Sequence, residues 1–366
     1  MAEREGHEVN RIRIHRIGRE WTGIARPFSA SARKGEEDLR IAFLQGQHQR
    51  ERVFLPEHIE RFRRHGEVAM NEEAGDPSEE RMAHIVRGAD IVVTSWGCGT
   101  LTRRVLDSAP RLRLVLHAAG SVKPILSPEL WERGVRVSQA AAALSRGVAE
   151  TALALTIASL KDMWRLSQAT REGAWGPLNS VREMYGMRIG VLGAGRAGSQ
   201  YIRLLRAFDV DVLVYDPYVD EAAAAAIGAR KAGLEEVLRA SDVVSVHLPS
   251  LPDTYRLLNR ERLALLKDDC VLINTARGAV IDEEALAAEL RRGRLFACLD
   301  VTDPEPPETD HPFRLLPNVV LLPHIAGAVN NGLRRVGQSV LEDFESYLEG
   351  KPMEGEVTKA NAHLLA

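Results

Sequence analysis

The chain has 366 residues, of which 45% are hydrophobic and 27% are charged; this composition suits two globular domains and excludes wholesale disorder. The net charge of −3 gives no strong field toward nucleic acid or a membrane surface, so we expect neither partner. The cysteines, Cys98, Cys270 and Cys298, form no CxxC pair, which favours a reducing, cytoplasmic compartment. No apolar run approaches the ~20 residues of a membrane helix, and we predict no metal site.

An Arg-rich arm at 1–37 precedes the first periodic pattern. Its acids, among them Glu3 and Glu5, argue against a mitochondrial transit peptide, so we interpret it as a mobile arm or one that packs on a partner subunit. From residue 39 onward, strands alternate with helices, which is typical of a parallel sheet with right-handed crossovers. We predict a helix at 56–65 and strands at 39–44, 89–94, 112–117 and 135–137.

An almost wholly apolar helix is predicted at 148–160, and we expect it to be buried between domains or subunits. Gly173, Gly176 and Pro177 then mark a loop. A second α/β series follows, and a helix at 333–348 is expected to return to the first domain. The strands predicted in this series are 188–192, 210–215, 243–247, 271–274, 296–300 and 319–322.

A glycine-rich turn follows the first strand of the second series and opens a helix. It reads Gly193-Ala194-Gly195-Arg196-Ala197-Gly198, a spacing that permits a tight turn, close approach to a pyrophosphate and close helix packing. The helix N-terminus offers free N–H groups to the phosphates. Asp216 ends the next strand, where a carboxylate accepts hydrogen bonds from ribose hydroxyls and repels a 2′-phosphate. The pattern therefore predicts dinucleotide binding, with NAD favoured over NADP.

Three polar groups follow later strands of the same series, at the sheet edge where ligands of such folds bind. Arg277 lies in Asn274-Thr275-Ala276-Arg277-Gly278 and has the two-pronged donor set that grips a carboxylate. Glu305 and His324 follow two further strands and form a plausible acid/base pair, in which the Glu charge orients the imidazole and favours its protonated form. Each residue alone is also consistent with a structural role; together they predict an active site.

The sequence resembles the D-isomer-specific 2-hydroxyacid dehydrogenases over about residues 39–348. The strongest similarity lies within 241–327, in four blocks that read SDVVSVHLPSLPDTYRLLN, VLINTARGAVIDEEAL, LDVTDPEP and NVVLLPHIAG. The resemblance implies that His324 is the acid/base, that Glu305 is its charge partner, and that Arg277 binds the substrate carboxylate and polarises the 2-carbonyl. It also implies further cofactor contacts, at Leu248, Pro249, Thr254, Thr275, Ala276, Asp300 and Gly327.

The first domain is expected to contribute the substrate carboxylate loop. Gly120, Ser121 and Val122 resemble the loop whose backbone N–H groups hold the carboxylate, although many relatives continue with a further Gly and an Asp or Asn where this chain has Val122-Lys123-Pro124. Trp96 stands where relatives contact the substrate side chain, and it either narrows the pocket or belongs to the core. Glu305 replaces the Gln of formate dehydrogenases, so formate oxidation is not expected, and we expect no regulatory domain after residue 348.

The predicted fold is α/β, with two Rossmann-like or flavodoxin-like domains and the NAD-binding domain, a doubly wound parallel sheet, inserted into a smaller substrate-binding domain. The predicted bounds are 1–37 for the arm, 38–147 plus 328–350 for the substrate-binding (catalytic) domain, 148–186 for the connecting helix and loop, 187–327 for the NAD-binding domain and 351–366 for the tail.

The predicted function is hydride transfer between NAD(H) and a small D-2-hydroxy acid or 2-keto acid, by a homodimer. Two alternatives remain at this stage: a non-catalytic, NAD-sensing interaction protein of the corepressor type, motivated by the arm, and an NADP-linked glyoxylate or hydroxypyruvate reductase, which Asp216 disfavours. The sequence does not specify the acid, because every 2-keto acid shares the unit that Arg277 is expected to bind.

Overall fold

The computed structural model describes residues 39–176, 178–362 and 365. The arm at 1–37 and Pro177 of the predicted loop lie outside the described residues. The helices and strands of the first half, in chain order, are β1 (Leu39–Phe43), α1 (Gln47–Val53), α2 (Pro56–Arg63), β2 (Gly66–Met70), α3 (Glu79–Ile85), β3 (Ile91–Thr94), α4 (Arg103–Asp107), β4 (Leu114–His117), α5 (Pro128–Glu132), β5 (Arg136–Gln139), α6 (Ala141–Leu160) and α7 (Met163–Arg171).

The second half continues the alternation of strands and helices. Its elements are β6 (Arg188–Leu192), α8 (Arg196–Leu205), β7 (Asp211–Tyr215), α9 (Glu221–Ile227), β8 (Arg230–Lys231), α10 (Leu234–Ala240), β9 (Val243–Val246), α11 (Arg260–Leu263), β10 (Cys270–Asn274), α12 (Glu283–Arg291), β11 (Leu295–Leu299), β12 (Val319–Leu321), α13 (Leu333–Leu348) and β13 (Glu356–Val357).

Two sheets form, both mainly parallel. The first has the strand order β13-β5-β4-β3-β1-β2 and the second has the order β12-β11-β10-β9-β6-β7-β8. Only β13 runs antiparallel, beside β5. The strand order of the second sheet reverses between β9, β6 and β7, and the crevice outside the carboxyl ends of the strands at such a switch point is where doubly wound sheets bind ligands.

The sheets hold together because their central strands are apolar on both faces and helices cover both sides. Strand β3 (IVVT) and strand β4 (LVLH) are fully buried. Helix α13 returns to the first sheet, where Phe344 is fully buried 4.5 Å from Phe62, centroid to centroid. Burial of a side chain of this size stabilises the fold by about 1.5–3 kcal/mol.

Helix α6 is longer than predicted, because it begins at Ala141 rather than at residue 148. Gly147 does not interrupt it: the helix passes so close to the His324 loop that a Cβ at Gly147 would lie 3.0 Å from the carbonyl oxygen of Gly327. Within the described residues, α6 is the one helix long and apolar enough to cross a membrane, contrary to the expectation that no apolar run is long enough.

The contacts of α6 within the chain are those of a core helix. The Thr156 hydroxyl lies 2.6 Å from the Tyr201 hydroxyl on α8, and the Ser159 hydroxyl lies 3.1 Å from the thiol of Cys298 on β11. Its opposite face, which includes Ala154, is less covered by the rest of the chain. Of the most apolar 18-residue stretch of the helix, 33% is buried. The expected full burial of this helix is therefore not reached within one chain.

Strands β2, β8 and β13 were not predicted from the sequence, and of the helices before residue 140 only α2 was predicted. Strands β8 and β13 have two residues each and lie at sheet edges, so their pairing depends on their neighbours rather than on an apolar pattern. Residues 351–362 of the tail include β13 and form a strap along the edge of the first sheet. The buried Asp343 carboxylate accepts the N–H groups of Glu354 and Gly355 and fixes this strap.

Candidate active site

The carboxyl ends of both sheets face a common cleft of about 800 Å³. Most of the site residues predicted from the sequence line it, although they come from loops that are far apart in the chain. These residues are Trp96, Gly120, Ser121, Gly195, Arg196, Ala197, Leu248, Pro249, Thr275, Ala276, Arg277, Asp300, His324 and Gly327. Trp96 is 41% exposed, so it forms a wall of the cleft and is not a core residue.

The remaining predicted residues do not line the cleft directly. The Val122 side chain is fully buried in the core of the first sheet, which leaves only its backbone for a ligand. The Thr254 hydroxyl donates to the carbonyl oxygen of Pro249 and accepts the N–H of Leu251, so it shapes the loop that carries Leu248 and Pro249. Glu305 reaches the cleft through His324.

His324 and Glu305 form the predicted pair. The Nδ1 atom of His324 lies 2.9 Å from Oε2 of Glu305, and about half of each side chain is exposed. Among the described residues, Nε2 of His324 has no hydrogen-bond partner. A ring whose Nδ1 is held by a carboxylate presents Nε2 to a ligand, which is the arrangement of a positioned acid/base.

The backbone around His324 is held in an unusual conformation. His324 has φ +54°, in the left-handed region that side chains other than Gly rarely adopt. Its N–H donates to the carbonyl oxygen of Asp300, and the buried Asp300 carboxylate accepts the N–H groups of Ile325 and Ala326 at 2.8 and 2.7 Å. Burial raises the pKa of Asp300, while these two N–H groups lower it. Asp300 therefore fixes the loop that aims the imidazole, and backbone strain of this kind is concentrated at functional sites.

Arg277 lies in the loop after β10, which the Asn274 side chain braces by accepting the N–H of Ala276 and donating to the carbonyl oxygen of Arg277. The guanidinium donates to the carbonyl oxygen of Ala276 at 2.6 Å. No carboxylate among the described residues lies within 4 Å of it. Burial lowers the pKa of Arg277, and the charge of Glu305 acts in the opposite direction. A partly desolvated guanidinium with unused donors is a receptor for an anion.

The opposite wall of the cleft fits a dinucleotide. Gly195 precedes α8, whose N-terminus has no side-chain cap, so its N–H groups are free for phosphate oxygens. A Cβ at Gly198 would lie 1.9 Å from the carbonyl oxygen of Gly193, which explains the glycine at this position. Asp216 directly follows β7 and accepts the N–H groups of Ala194 and Tyr218, each at 2.8 Å.

Orphaned polar atoms also point to a ligand. Three side-chain atoms that are buried and have no hydrogen-bond partner belong to residues that line the cleft: Oε1 of Gln139, Nδ1 of His247 and Oγ1 of Thr275. Buried polar groups are normally satisfied, because leaving one unpaired costs about 1–3 kcal/mol. Donors and acceptors on a bound cofactor or substrate would satisfy them.

Comparison with known proteins agrees with this arrangement. Residues 153–326 match the family model described as D-isomer specific 2-hydroxyacid dehydrogenase, NAD binding domain. The chain is 31% identical over 304 residues to the glyoxylate reductase of Korarchaeum cryptofilum, a match that covers 81% of this chain and 91% of that protein. The chain belongs to the D-isomer specific 2-hydroxyacid dehydrogenases. Its second sheet is therefore the nicotinamide dinucleotide-binding domain of this family.

Relatives within the family differ in length and in cofactor. The D-3-phosphoglycerate dehydrogenase of Methanocaldococcus jannaschii is 31% identical over 298 residues, which cover 81% of this chain but 56% of that protein; the chain thus spans about half the length of this relative. The solved structure of an NADPH-dependent glyoxylate/hydroxypyruvate reductase from Sinorhizobium meliloti, in complex with citrate, superposes with a TM-score of 0.70 at 26% identity, over 87% of this chain and 98% of that one.

Several residues that line the cleft were not singled out from the sequence. Gln49 and Arg52 reach the cleft from α1, while Gln139 is the last residue of β5 and His247 follows β9. The last two obey the strand-end rule that identified Arg277, so that rule could have found them. Arg52 carried no such signal, because it lies within a short polar helix that the hydrophobic pattern does not predict.

A second His–Glu pair braces the loop that carries Glu305. The Glu283 carboxylate accepts the N–H of Asp303 at 2.9 Å, and its other oxygen lies 3.3 Å from Nε2 of His311. Nδ1 of His311 accepts the N–H of Phe313, which leaves Nε2 as the ring nitrogen that faces Glu283. Burial raises the pKa of Glu283 to about 7; the Asp303 N–H opposes this shift, and the charges of Asp303 and Glu305 add to it.

This pair predicts a pH-dependent stability. Because folding raises the pKa of Glu283, the stability it contributes is complete below the value of an unfolded Glu and is lost as the pH rises through about 7. Glu283→Gln does not titrate, so we expect it to gain stability relative to wild type between pH 4.5 and 8, by on the order of 2 kcal/mol. The free energy of unfolding of both proteins is measured by urea denaturation at pH 4.5 and at pH 8. Glu284→Gln, which changes the exposed neighbouring residue, is the control. A difference that does not change with pH would refute the prediction.

Proposed function

We propose that this protein transfers a hydride between a nicotinamide dinucleotide and C2 of a small D-2-hydroxy acid or 2-keto acid. One observation carries the proposal: the unpaired guanidinium of Arg277 and the free Nε2 of the Glu305-bound His324 line the same cleft as the glycine turn and the uncapped end of α8. An NAD-sensing protein without turnover has no need of an oriented acid/base in this cleft.

The residues divide the chemistry among them. The bound cofactor supplies the hydride in reduction and accepts it in oxidation. Arg277 and the backbone N–H groups of residues 120–122 hold the substrate carboxylate. In reduction, Nε2 of His324 donates its proton to the carbonyl oxygen while Arg277 stabilises the negative charge that develops there. Glu305 stabilises the imidazolium and holds its orientation, and in oxidation the neutral ring takes the proton back.

A turnover assay tests the reaction class. The relatives named for 3-phosphoglycerate and glyoxylate share one reacting unit, a carboxylate next to a hydroxyl or carbonyl carbon, and this supports the proposal. We expect the protein to oxidise NADH, followed at 340 nm, with at least one acid from a panel of glyoxylate, pyruvate, hydroxypyruvate and longer 2-keto acids. NADH binding without turnover on every acid, under conditions in which a known relative is active, would reject it.

We propose NAD rather than NADP as the cofactor. Asp216 lies at the end of β7, beside the glycine turn, and the residues that follow it are Pro217, Tyr218 and Val219, none of which carries a positive charge. A carboxylate there repels a 2′-phosphate.

The cofactor preference is measurable. We expect kcat/KM with NADH to exceed that with NADPH by at least tenfold, and Asp216→Ser to reduce this ratio by about tenfold, because the substitution removes the repulsive charge. The exposed Asp220→Ser, four residues further on, is the matched control. A wild-type preference for NADPH would overturn the assignment.

We also propose that the protein is a homodimer. Helix α6 keeps a partly exposed apolar face, and the segment that follows it exposes five large apolar side chains: Met163 (49%), Trp164 (37%), Trp175 (93%), Leu178 (69%) and Tyr185 (78%). Large exposed apolar patches mark protein interfaces, and these side chains are candidates for such a patch.

Sedimentation equilibrium tests the assembly. We expect wild type to sediment at twice the chain mass at micromolar concentration, and Trp175→Glu to weaken the association, because a charge would replace an apolar contact. Tyr218→Glu, an exposed aromatic outside this segment, serves as the control. A monomeric wild type at 10 μM, with normal turnover, would contradict the proposal.

A further inference from the structure

The cleft contains more positive charge than the proposed reaction needs. Four cations lie in or beside it: Arg52, Lys123, Arg196 and Arg277. None of the four has a carboxylate within 4 Å among the described residues; they donate hydrogen bonds to uncharged oxygens. The acids of the cleft are already engaged, Asp300 by two backbone N–H groups and Glu305 by His324.

Two of these cations have partners in the proposed function. The dinucleotide phosphates would lie at the N-terminus of α8, where Arg196 is the first helical residue. The substrate carboxylate next to the reacting carbon would bind to Arg277. Lys123 and Arg52 have no such partner, and both side chains are exposed to a ligand that enters the cleft.

Lys123 is placed at the mouth of the substrate side. It follows directly on the loop of Gly120, Ser121 and Val122, and its Nζ atom crosses to the other domain, 3.3 Å from the carbonyl oxygen of Ser250. Partial burial lowers the pKa of Lys123, and the charge of Arg277 lowers it further, so the two cations are close enough to repel one another. An anion between them would relieve this repulsion.

The order of strands in the first sheet places Arg52 at the same carboxyl-terminal edge as Lys123. Strands β1, β3 and β4 are neighbours in the first sheet, and Arg52, Trp96 and Lys123 lie in the segments that follow them. Neighbouring strands are about 4.8 Å apart, so the ends of β1 and β4 are about 10 Å apart. The pocket for the rest of the substrate is therefore walled by Trp96 and flanked by two unpaired cations.

We propose that the preferred substrate carries a second anionic group, a carboxylate or a phosphate, at the end away from the reacting carbon, and that Lys123 is the residue that recognises it, with Arg52 as the second cation. This inference rests on the proposed function and narrows its substrate class. A charge-assisted hydrogen bond to such a group is shorter and stronger than the present bond to the Ser250 carbonyl. Substrates with a neutral end would leave Lys123 unpaired.

Pairs of 2-keto acids matched in carbon skeleton test the proposal. We would measure kcat/KM with NADH for 2-oxoglutarate against 2-oxopentanoate, and for 3-phosphohydroxypyruvate against hydroxypyruvate. We expect the acid with the second charge to be favoured at least tenfold in one pair or both; preference in the second pair alone would identify phosphate as the group. Lys123→Met should bring the ratio close to one, and Lys123→Arg should keep most of it.

The control substitutes a lysine that does not line the cleft. Lys351 pairs with the exposed Glu349 beyond the end of α13, so Lys351→Met should leave the ratio unchanged. Equal kcat/KM within each pair for wild type would overturn the proposal and leave the proposed function intact. An equal loss of kcat/KM on all four acids in Lys123→Met would also overturn it, because Lys123 would then bind the carboxylate that all four acids share.

A binding measurement tests the second anion site even if the protein reduces none of these acids. In the NADH-loaded protein, calorimetric titration with glutarate and with pentanoate compares a dianion with a monoanion of the same length and needs no turnover. We expect glutarate to bind at least tenfold more tightly, and Lys123→Met to abolish the difference. Equal affinities would reject the second anion site, whatever the fate of the proposed function.

Discussion

His324→Gln should lower kcat for 2-keto acid reduction by about 10²- to 10⁴-fold, the usual contribution of a positioned general acid. Glutamine can hydrogen-bond to Glu305 but cannot deliver a proton to the substrate oxygen, so the hydride would reach a carbonyl whose oxygen must take its proton from water. The affinity for NADH, measured by fluorescence titration, should stay within about twofold of wild type, because the glycine turn and α8 are untouched.

The control for this substitution is His84→Gln, an exposed histidine near the end of α3. It should leave both kcat and NADH affinity at wild-type values. If His324→Gln kept more than about a tenth of the wild-type kcat, another group would have to supply the proton, and the assignment of His324 would be wrong.

Arg277→Met should lower kcat/KM by about 10²- to 10⁴-fold, through a higher KM from the lost carboxylate contact and a lower kcat from the lost stabilisation of the developing charge. A hydrogen bond to a charged group contributes about 1.5–3 kcal/mol, and a guanidinium makes two such bonds to a carboxylate. Arg277→Lys should recover only part of the loss, because an ammonium keeps the charge but loses the two-pronged geometry. Steady-state kinetics of the three proteins on one substrate measure both effects.

Arg291→Met removes an arginine from the exposed end of α12 and is the matched control. It should not change kcat/KM. A KM for Arg277→Met within about threefold of wild type would mean that the substrate carboxylate is held elsewhere, and the backbone N–H groups of residues 120–122 would become the main candidates.

The fold was predictable where local pattern and tertiary contact agree. Strands β3, β4 and β10 are continuous apolar runs, as central parallel strands are, and the predicted bounds of α13 coincide with the observed helix. Helix α1 was missed because its sequence, QHQRERV, is polar; it is helical because Val53 packs into the core of the first sheet beside α13. Strand β2 was missed because GEVAM is only partly buried.

The site was predictable to the extent that it obeys the strand-end rule. Parallel strands bring their carboxyl ends to one edge, so Arg277, Glu305 and His324 could be expected to converge from sequence alone. The Asp300 carboxylate that fixes the His324 loop, and the Glu283–His311 brace, could not, because their partners are backbone N–H groups whose positions depend on the folded loops. Arg52 and Lys123 reach the cleft only through the order of strands in the first sheet.

The most direct test of the account is isotope transfer. NADH deuterated at C4 of the nicotinamide should be incubated with the best acid of the panel, and the hydroxy acid product analysed by mass spectrometry and chiral chromatography. We expect wild type to form a D-configured product with one deuterium at C2, and His324→Gln to lose the formation of this product. Product without deuterium at C2, or an L-configured product, would contradict the proposed hydride transfer between the cofactor and the substrate held by Arg277 and His324.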